Sequence, residues 1–390
     1  MPEAVEPRIL WITDRYPPLE GGMAVSCARQ VEGLRSRGLQ VEVIAFTRTN
    51  PEAGLRPRSI PRDCGADHHL NQVVEGEVRA GLTAQRAWRL VLQEQAEKPF
   101  TYVVGFGAGH AGALAVTLAA WLSLPSLVLV RGNDFDQDWF DPLRGLWVRE
   151  ALGRAAMVGV VAPEMGRRIQ ALLPGAEVCF TPNGVDVSAF ELLPQDKALR
   201  DETRAKVSDG GRQIIGLFGE LKYKKGVAFW LEALREAGLK DRIGLLVVGK
   251  RIDEETARIL EDSDLAPPSL RLPYSDRDNL PWLYAAGDFV ALPSLVEGMP
   301  NVLLEAMGCG VIPIVSDAGA MGELVKDGET GFIFPAQDRR AAAEATARAL
   351  DLSQADREAL SRRARDFVAR NFSVQKELDV LCSILFPRPG

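Results

Sequence analysis

The sequence is short of cysteine, of basic residues in excess of acidic ones, and of long uncharged stretches. Its five cysteines are scattered over 390 residues, odd in number and without the spacing of metal ligands. We therefore expect no disulfide framework and a reducing, cytoplasmic environment. Basic residues do not outnumber acidic ones in either half of the chain, and the net charge is −7. This balance argues against nucleic acid as a partner.

Two segments decide what we expect of targeting and membrane insertion. Residues 1–14 lack a basic stretch followed by an apolar one, so we predict no signal peptide. Residues 111–130 carry no charge over a length that could cross a bilayer. However, Leu124 and Pro125 interrupt this run, and its second part is short and β-branched. We predict a buried helix followed by a core strand.

Length and the order of apolar segments predict two α/β domains. The chain has 46% hydrophobic and 25% charged residues and is longer than one ordinary globular core. Residues 9–14 and 41–46 have the pattern of buried strands, and residues 25–37 between them have that of an amphipathic helix. The same order restarts at residues 214–221. It predicts a parallel, doubly wound sheet in each half.

Two stretches show little periodicity. Residues 50–79 are rich in proline, glycine and charge, and both an acceptor-side flap and a plain loop remain open there. Residues 194–211 are charged and aperiodic, so we expect an irregular surface stretch.

The most informative segment is a predicted strand, loop and helix at residues 289–308, followed by another strand at residues 311–316. Gly298 frees the backbone of the loop, and Pro300 suits the first turn of a helix, where its missing N–H has no consequence. The N–H groups at this helix start form an anion site suited to phosphate. Glu297 in the loop and Glu305 on the helix flank that site.

Two carboxylates beside an anion site suggest a ligand that is part diphosphate and part polyol, which describes a nucleotide sugar. Glu305 would accept hydrogen bonds from hydroxyls beside the phosphates, and Glu297 would point at whatever lies beyond them. The alternative is a plain strand–turn–helix unit with two solvated glutamates.

Residues 292–338, LPSLVEGMPNVLLEAMGCGVIPIVSDAGAMGELVKDGETGFIFPAQD, resemble the donor-site segment of retaining glycosyltransferases of family 4. These enzymes carry a Glu-x7-Glu pair, matched here by Glu297 and Glu305, in the GT-B fold. The resemblance implies an α/β protein with two doubly wound Rossmann-like domains facing across a cleft. It places an acceptor-binding domain at residues 1–184, a donor-binding domain at 185–365, and a C-terminal helix at 366–390 that crosses back onto the first domain.

The resemblance also implies contacts with the donor diphosphate. Family members have an arginine after a glycine that corresponds to Gly219, and a lysine five positions later. Lys225 matches the lysine, whereas Glu220 stands where the arginine would be. Lys222 and Lys224 could each substitute for the arginine, and we expect Lys222 to do so. The donor-binding residues implied are Gly21, Gly22, Gly219, Tyr274, Gly298, Met299, Pro300, Asn301, Leu304 and Glu305, and the catalytic residues are Glu297, Lys225, Lys222 and Arg131.

Acceptor or sugar contacts are expected in the first half. The run GFGAGHAG at residues 105–112 has glycines spaced as in a dinucleotide site, but no acidic residue closes a second strand about 20 residues on. We interpret it as a strand–helix turn with His110 at the end of the sheet. Arg131 stands where many family members have a histidine that touches the donor sugar, and Asn133 and Asp134 follow it.

Asp134, Asp136 and Asp138 also form an alternating acidic run that resembles the metal motif of the other main glycosyltransferase fold. We expect no metal, because the donor diphosphate has its own binding groups elsewhere.

The activity implied is that of a hexosyltransferase-type enzyme (EC 2.4) acting with retention by front-side attack. The donor would be a UDP- or GDP-sugar, and the acceptor a glycan, a lipid-linked molecule or a small molecule. The implied location is cytoplasmic, with peripheral contact to the inner face of the membrane left open. The alternatives are a non-catalytic nucleotide-sugar-binding or scaffold subunit and a nucleotide-sugar epimerase.

Overall fold

The structure, a computed structural model, describes residues 7–47, 58–74, 77–78, 80–208, 211–273, 275 and 277–387. The chain folds into two compact units. Unit 1 comprises Met1–Pro182 and Glu377–Gly390, and unit 2 comprises Asn183–Lys376. Each unit is built on a mainly parallel sheet with helices, so the predicted pair of α/β domains is confirmed.

In the described part of unit 1, an eight-stranded sheet has the order β10-β9-β8-β7-β1-β2-β4-β3 and is parallel except for β3. A separate antiparallel pair, β5 and β6, lies outside it. The strands are β1 (Arg8–Thr13), β2 (Gln40–Thr47), β3 (Arg58–Arg62), β4 (Gly65–Asn71), β5 (Val73–Val74), β6 (Glu77–Val78), β7 (Tyr102–Phe106), β8 (Ser126–Val130), β9 (Met157–Val160) and β10 (Val178–Phe180).

The central strands of this sheet are buried along their whole length, as expected of a parallel sheet covered by helices. After β1, the chain first adds β2 on one side of that strand and later adds β7 on its other side. The strand order therefore reverses between β1 and β7. The helices of unit 1 are α1 (Gly22–Ser36), α2 (Ala80–Glu97), α3 (His110–Leu122), α4 (Asn133–Asp136), α5 (Arg144–Arg154) and α6 (Pro163–Leu172).

In the described part of unit 2, six parallel strands have the order β13-β12-β11-β14-β15-β16, and the order reverses between β11 and β14. The strands are β11 (Gln213–Phe218), β12 (Ile243–Val248), β13 (Ser269–Leu272), β14 (Phe289–Leu292), β15 (Ile312–Ser316) and β16 (Phe332–Phe334). The helices are α7 (Pro194–Val207), α8 (Val227–Glu236), α9 (Glu254–Glu261), α10 (Leu280–Ala285), α11 (Asn301–Gly308), α12 (Met321–Leu324), α13 (Arg339–Leu350) and α14 (Gln354–Asn371).

The last helix, α15 (Val374–Leu385), contributes its residues from Glu377 onward to unit 1. Glu377 is buried and receives two hydrogen bonds from the guanidinium of Arg29, at 2.7 and 3.0 Å, and one from the amide of Gln30 at 2.7 Å. Leu378 lies against Gly33 of α1, where a Cβ on the glycine would approach the leucine side chain to 2.6 Å. A buried ion pair and close packing therefore attach the end of the chain to α1.

Residues 111–130 form most of α3 and all of β8, which confirms the predicted buried helix and core strand. None of the helices in the described ranges is long and apolar enough to cross a membrane.

The expectation of an irregular stretch at residues 194–211 is wrong. Residues 194–207 form helix α7, which has Pro194 at its start and the carboxylate of Asp196 accepting the backbone N–H of Leu193 at 2.8 Å. Favourable helix-start chemistry therefore outweighed the lack of an apolar stripe. Within residues 50–79, the described part contains β3 and β4, which extend the sheet beyond β2.

Candidate active site

The strand-order reversal in unit 2 brings together the two loops that carry the candidate donor-site residues. One loop follows β11 and holds the lysines at 222–225, and the other follows β14 and holds Glu297. Ligands of doubly wound proteins bind at the carboxyl ends of the strands at such a reversal. The position of both loops is therefore that of a ligand site.

The lysine loop is held against the end of β14 by close backbone contacts. Gly226 adopts φ +64°, and a Cβ at this position would lie 2.1 Å from the carbonyl oxygen of Pro293. The backbone N–H of Leu295 donates to the carbonyl of Lys224 at 2.7 Å. Only glycine permits this approach without displacing Pro293, so Gly226 determines where Lys224 and Lys225 lie.

Glu297 is buried, with 9% of its surface exposed, and pairs with the lysine loop. The Nζ of Lys225 lies 2.5 Å from Oε1 of Glu297, and the Nζ of Lys224 lies 3.9 Å from Oε2. Behind the glutamate, Gly319 at φ +61° approaches so closely that a Cβ would lie 2.0 Å from the carbonyl oxygen of Glu297. Two ammonium groups therefore lie beside one buried carboxylate in this loop.

The start of α11 lies directly after this loop. Its N-cap residue, Pro300, provides no side-chain cap, and the preceding Met299 is buried. The side-chain amide of Asn183 donates to the carbonyl of Met299 at 2.7 Å, which fixes the approach to the helix. The first N–H groups of a helix have no acceptor within it, so the turn that begins at Asn301 is a candidate anion site. Leu304 is fully buried and anchors the helix in the core.

Glu305 lies in the second turn of α11 and is also buried, with 8% of its surface exposed. The hydroxyl of Tyr284 donates to its Oε2 at 2.8 Å, and the ring of Tyr284 packs on that of Phe218 with centroids 4.4 Å apart. Burial, and then the charge of Glu305, raise the pKa of the nearby Cys309 thiol. Burial of both glutamates excludes the alternative of two solvated side chains.

Lys222 and Glu220 form a separate pair. The Nζ of Lys222 lies 2.5 Å from Oε2 of Glu220, and Arg251 lies 4.0 Å from its Oε1. The hydrogen bond from Lys222 lowers the pKa of Glu220. The acidic residue at the family's arginine position is thus compensated locally. Lys224, rather than Lys222, is the second cation that lies beside Glu297.

The strand-order reversal in unit 1 joins Asp14, just after β1, to His110, at the start of α3 just after β7. The Nδ1 of His110 lies 3.0 Å from Oδ1 of Asp14, and the N–H of Ala111 donates to Oδ2 at 3.1 Å. The imidazole makes edge-on contacts with Phe46 and Trp147, at centroid distances of 5.0 and 5.3 Å. The interpretation of residues 105–112 as a strand–helix turn is confirmed.

Arg131 and Asp134 follow β8 at the same edge. Arg131 is buried, its guanidinium lies 5.1 Å from the ring centroid of Phe106, and burial lowers its pKa to about 10. The carboxylate of Asp134 accepts the N–H groups of Ala108 and Arg131, each at 2.9 Å, and burial raises its pKa. Asp134 therefore ties the loop after β7 to the loop after β8. Asn133 is the first residue of α4.

The three alternating aspartates do not converge. Asp134 accepts backbone N–H groups, Asp136 lies 2.7 Å from Arg168, and Asp138 lies 3.2 Å from Arg144. Across the described ranges, no three or more histidine, cysteine, aspartate or glutamate residues form a group that could hold a metal ion.

The remaining donor-site predictions lie on three loops. Gly21 is the N-cap of α1 at φ +117°, a conformation that favours glycine, and Gly22 is the first residue of that helix. Gly219 follows β11 at φ +95°. A Cβ on Gly249 would lie 2.0 Å from the carbonyl oxygen of Gly219, so the two backbones are in close contact. Gly298 accepts the N–H of Ala320 at 2.8 Å. Tyr274 lies outside the described residues.

Sequence reasoning missed three residues, Asp14, Tyr284 and Trp147. It also missed the pairing of Lys224 with Glu297. Asp14 had a signal, because it is the polar residue that ends the first buried strand. Tyr284 had none, because an aromatic residue within an apolar helix is ordinarily a core residue.

The two doubly wound α/β units, each with candidate residues at the carboxyl edge of its sheet, have the GT-B fold. The family model described as "Glycosyl transferases group 1" matches residues 200–367, and the one described as "Glycosyl transferase 4-like domain" matches residues 21–184. The chain belongs to this family of glycosyltransferases, which are enzymes of class EC 2.4. The resemblance of residues 292–338 to family 4 is thereby confirmed.

Among similar proteins, the lipopolysaccharide core biosynthesis mannosyltransferase LpsB of Rhizobium meliloti is 28% identical over 215 residues, 52% of this chain and 58% of that protein. The match therefore covers less than two thirds of that relative. Sucrose-phosphate synthase from Thermosynechococcus elongatus is similar in structure, with a TM-score of 0.79 at 18% identity, over 97% of this chain and 98% of that one. Anabaena HepE in complex with UDP-glucose gives a TM-score of 0.73 at 17% identity, over 97% and 99%.

Proposed function

We propose that this chain is a retaining glycosyltransferase that moves a sugar from a UDP- or GDP-sugar to a hydroxyl group of a glycan or lipid-linked acceptor. The observation that carries the proposal is the contact between buried Glu297 and Lys225 at the strand-order reversal of unit 2. Burying a carboxylate is unfavourable unless it is paired. The pair lies beside the start of α11, where a diphosphate would find both cations and helix N–H groups.

Each part of a nucleotide sugar has a counterpart in unit 2. The diphosphate would bind at Lys225, Lys224 and the helix start at Met299–Asn301. Glu305, held by Tyr284, would accept hydrogen bonds from the ribose hydroxyls, and Glu297 from hydroxyls of the transferred sugar. HepE is named as a complex with UDP-glucose, which favours UDP as the nucleotide and glucose as the sugar of the donor. LpsB is named as a mannosyltransferase, which favours mannose as the sugar.

The chemical step would follow from this charge distribution. The acceptor oxygen forms its bond to the anomeric carbon on the face from which the diphosphate departs, and the bond from that carbon to the diphosphate oxygen breaks. The acceptor proton passes to the departing diphosphate. The two lysines and the N–H groups of α11 would stabilise the negative charge that develops there, which is the main contribution the protein makes. These cations also support a metal-independent reaction.

Unit 1 would supply the acceptor site. Gly21 and Gly22 carry no side chain, so they would leave the backbone after β1 open to a ligand. His110, Arg131 and Asn133 lie at the carboxyl edge of the unit 1 sheet and would contact the acceptor or the transferred sugar, and Asp134 would hold their loops together.

Thermal unfolding with UDP, GDP, ADP and their sugars tests the donor site. A ligand at a hundred times its dissociation constant should stabilise the protein by about 2.7 kcal/mol. One nucleotide should stabilise the wild type and lose its effect in Glu305→Ala and Lys225→Ala. Ligand shifts unchanged by both substitutions would contradict the assigned site.

Product analysis tests the reaction. Transfer with retained anomeric configuration, undiminished by EDTA, is the expected result. Binding of a nucleotide sugar without any transfer would support the scaffold alternative, and an isomerised nucleotide sugar without acceptor would support an epimerase.

A further inference from the structure

Four large exposed apolar side chains fall within residues 140–147 of unit 1, and one of them contacts His110. This set, named here the apolar ledge, consists of Phe140, Leu143, Leu146 and Trp147, which are 80%, 77%, 61% and 40% exposed. Large apolar side chains exposed singly are ordinary, but contiguous ones mark a binding surface. The ledge meets the candidate acceptor site at Trp147, whose ring centroid lies 5.3 Å from that of His110.

The ledge is built on a tightly held backbone. Asp141 accepts the N–H groups of Leu143 and Arg144 at 2.9 and 2.8 Å, and these hydrogen bonds lower the pKa of its carboxyl group. Gly145 packs so closely that a Cβ would lie 2.6 Å from the carbonyl oxygen of Trp139. The opposite side of α5 is buried against the core of unit 1. Helix α5 is thus apolar on its buried side and also at its exposed start, unlike an ordinary surface helix.

The charges around the ledge indicate what covers it. Residues 138–154 contain three acidic and three basic residues. Arg144 pairs with Asp138 at 3.2 Å, and Arg154 pairs with Glu150 one turn away. Helices that lie on membranes carry an excess of lysine and arginine opposite their apolar face. The balanced charge argues against a bilayer surface and favours the uncharged apolar part of a bound molecule.

The orientation of His110 supports the same assignment. A carboxylate only accepts hydrogen bonds, so in the contact with Asp14 the Nδ1–H of His110 donates to the carboxylate. In the neutral imidazole the other ring nitrogen, Nε2, is an acceptor, which suits a substrate hydroxyl. A polar contact for a hydroxyl and an apolar surface for a tail therefore occur side by side.

We propose that the acceptor is an amphiphile whose reactive hydroxyl binds at His110 and whose apolar part packs on the apolar ledge. This inference rests on the proposed function, and it narrows the acceptor class to lipid-linked or otherwise apolar-substituted glycosides.

Alkyl glucosides of increasing chain length, used below their micelle concentration, test the proposal by titration calorimetry with the full chain. Full burial strengthens binding about fourfold per methylene, so partial burial on the ledge should strengthen it two- to threefold. The double variant Leu143→Ser, Leu146→Ser should bind all chain lengths alike. Leu193→Ser, Leu199→Ser is the matched control, because it replaces two exposed leucines of unit 2 and should keep the wild-type dependence.

Two results would overturn the proposal. One is affinity that does not depend on chain length in the wild type. The other is a dependence that persists in the ledge variant, which would place the apolar site elsewhere. The wild type could also co-sediment with phosphatidylcholine–phosphatidylglycerol vesicles while the ledge variant does not. If glucoside affinity were then independent of chain length, the ledge would be a membrane contact instead. Stabilisation by a nucleotide is measured separately, so failure of the ledge is distinguishable from failure of the donor site.

Discussion

At the scale of single residues, the two buried glutamates derive their proposed roles from different partners. Glu297 lies among ammonium groups and Glu305 beside a tyrosine hydroxyl. The lysine ammonium groups beside Glu297 can also bind a diphosphate. The tyrosine hydroxyl beside Glu305 carries no charge, and its role is to orient that carboxylate. The same side chain at two positions therefore gives one charge-balancing and one hydroxyl-binding group.

Lys225→Ala should lower the rate of sugar transfer by about 10²–10³-fold, because it removes a cation from the leaving diphosphate. Lys222→Ala is the control, and we expect a change of less than about threefold, since Lys222 already neutralises Glu220. Steady-state kinetics with saturating acceptor measure both. A large loss in Lys222→Ala would instead support the assignment of Lys222 made from sequence.

Tyr284→Phe should weaken nucleotide binding by about tenfold, because a hydrogen bond to a charged group contributes about 1.5 kcal/mol. The loss should be confined to nucleotides with intact ribose, so a 2′,3′-dideoxy nucleotide should bind wild type and variant alike.

Tyr16→Phe serves as the control for this tyrosine experiment, since it removes a hydroxyl 3.3 Å from Asp67 in unit 1. It should leave nucleotide affinity unchanged. Equal losses for ribose and dideoxyribose nucleotides in Tyr284→Phe would mean that the tyrosine acts on the fold rather than on Glu305.

At the scale of elements, short loops after parallel strands determine the site, and glycines determine the loops. Gly226 and Gly319 both have positive φ, and both let backbone approach the loop after β14 at distances that a side chain would prevent. The lysines and Glu297 meet because these loops pack backbone to backbone. Side-chain chemistry in this region therefore depends on the absence of two Cβ atoms.

Gly226→Ala should displace the lysine loop and weaken nucleotide binding by at least tenfold, because its Cβ would collide with the carbonyl of Pro293. Gly238→Ala is the matched control. Gly238 has a similar φ of +70° but no atom within 4 Å of its Cβ position. Both variants should lose about 1 kcal/mol of unfolding free energy from backbone strain. Only Gly226→Ala should lose affinity in nucleotide titrations, and equal affinity in the two variants would refute the role of the contact.

At the scale of the whole molecule, the chain finishes unit 1 only after completing unit 2. The helix that begins at Val374 brings Glu377 back to Arg29 of α1, 348 residues earlier in sequence. Unit 1 is therefore incomplete without the last residues of the chain.

Glu377→Ala should destabilise the protein by about 3–5 kcal/mol, because it leaves the buried guanidinium of Arg29 without its carboxylate. Asp379→Ala removes a carboxylate on the same helix that pairs with Arg37 but is 67% exposed, and it should change stability by less than about 1 kcal/mol. Urea unfolding compares the two variants. Similar effects would show that the buried pair does not hold the helix to unit 1.

The sequence by itself determined the parallel α/β class, the strand–loop–helix unit with Glu297 and Glu305, and the strand–helix turn at His110. These features are local, since strand periodicity, turn glycines and helix starts are encoded within about 20 consecutive residues. Only the tertiary structure decided which groups meet. Glu297 and Lys225 are 72 residues apart, and His110 and Asp14 are 96 apart. Each pair forms where a sheet reverses its strand order, which depends on the packing of the whole unit.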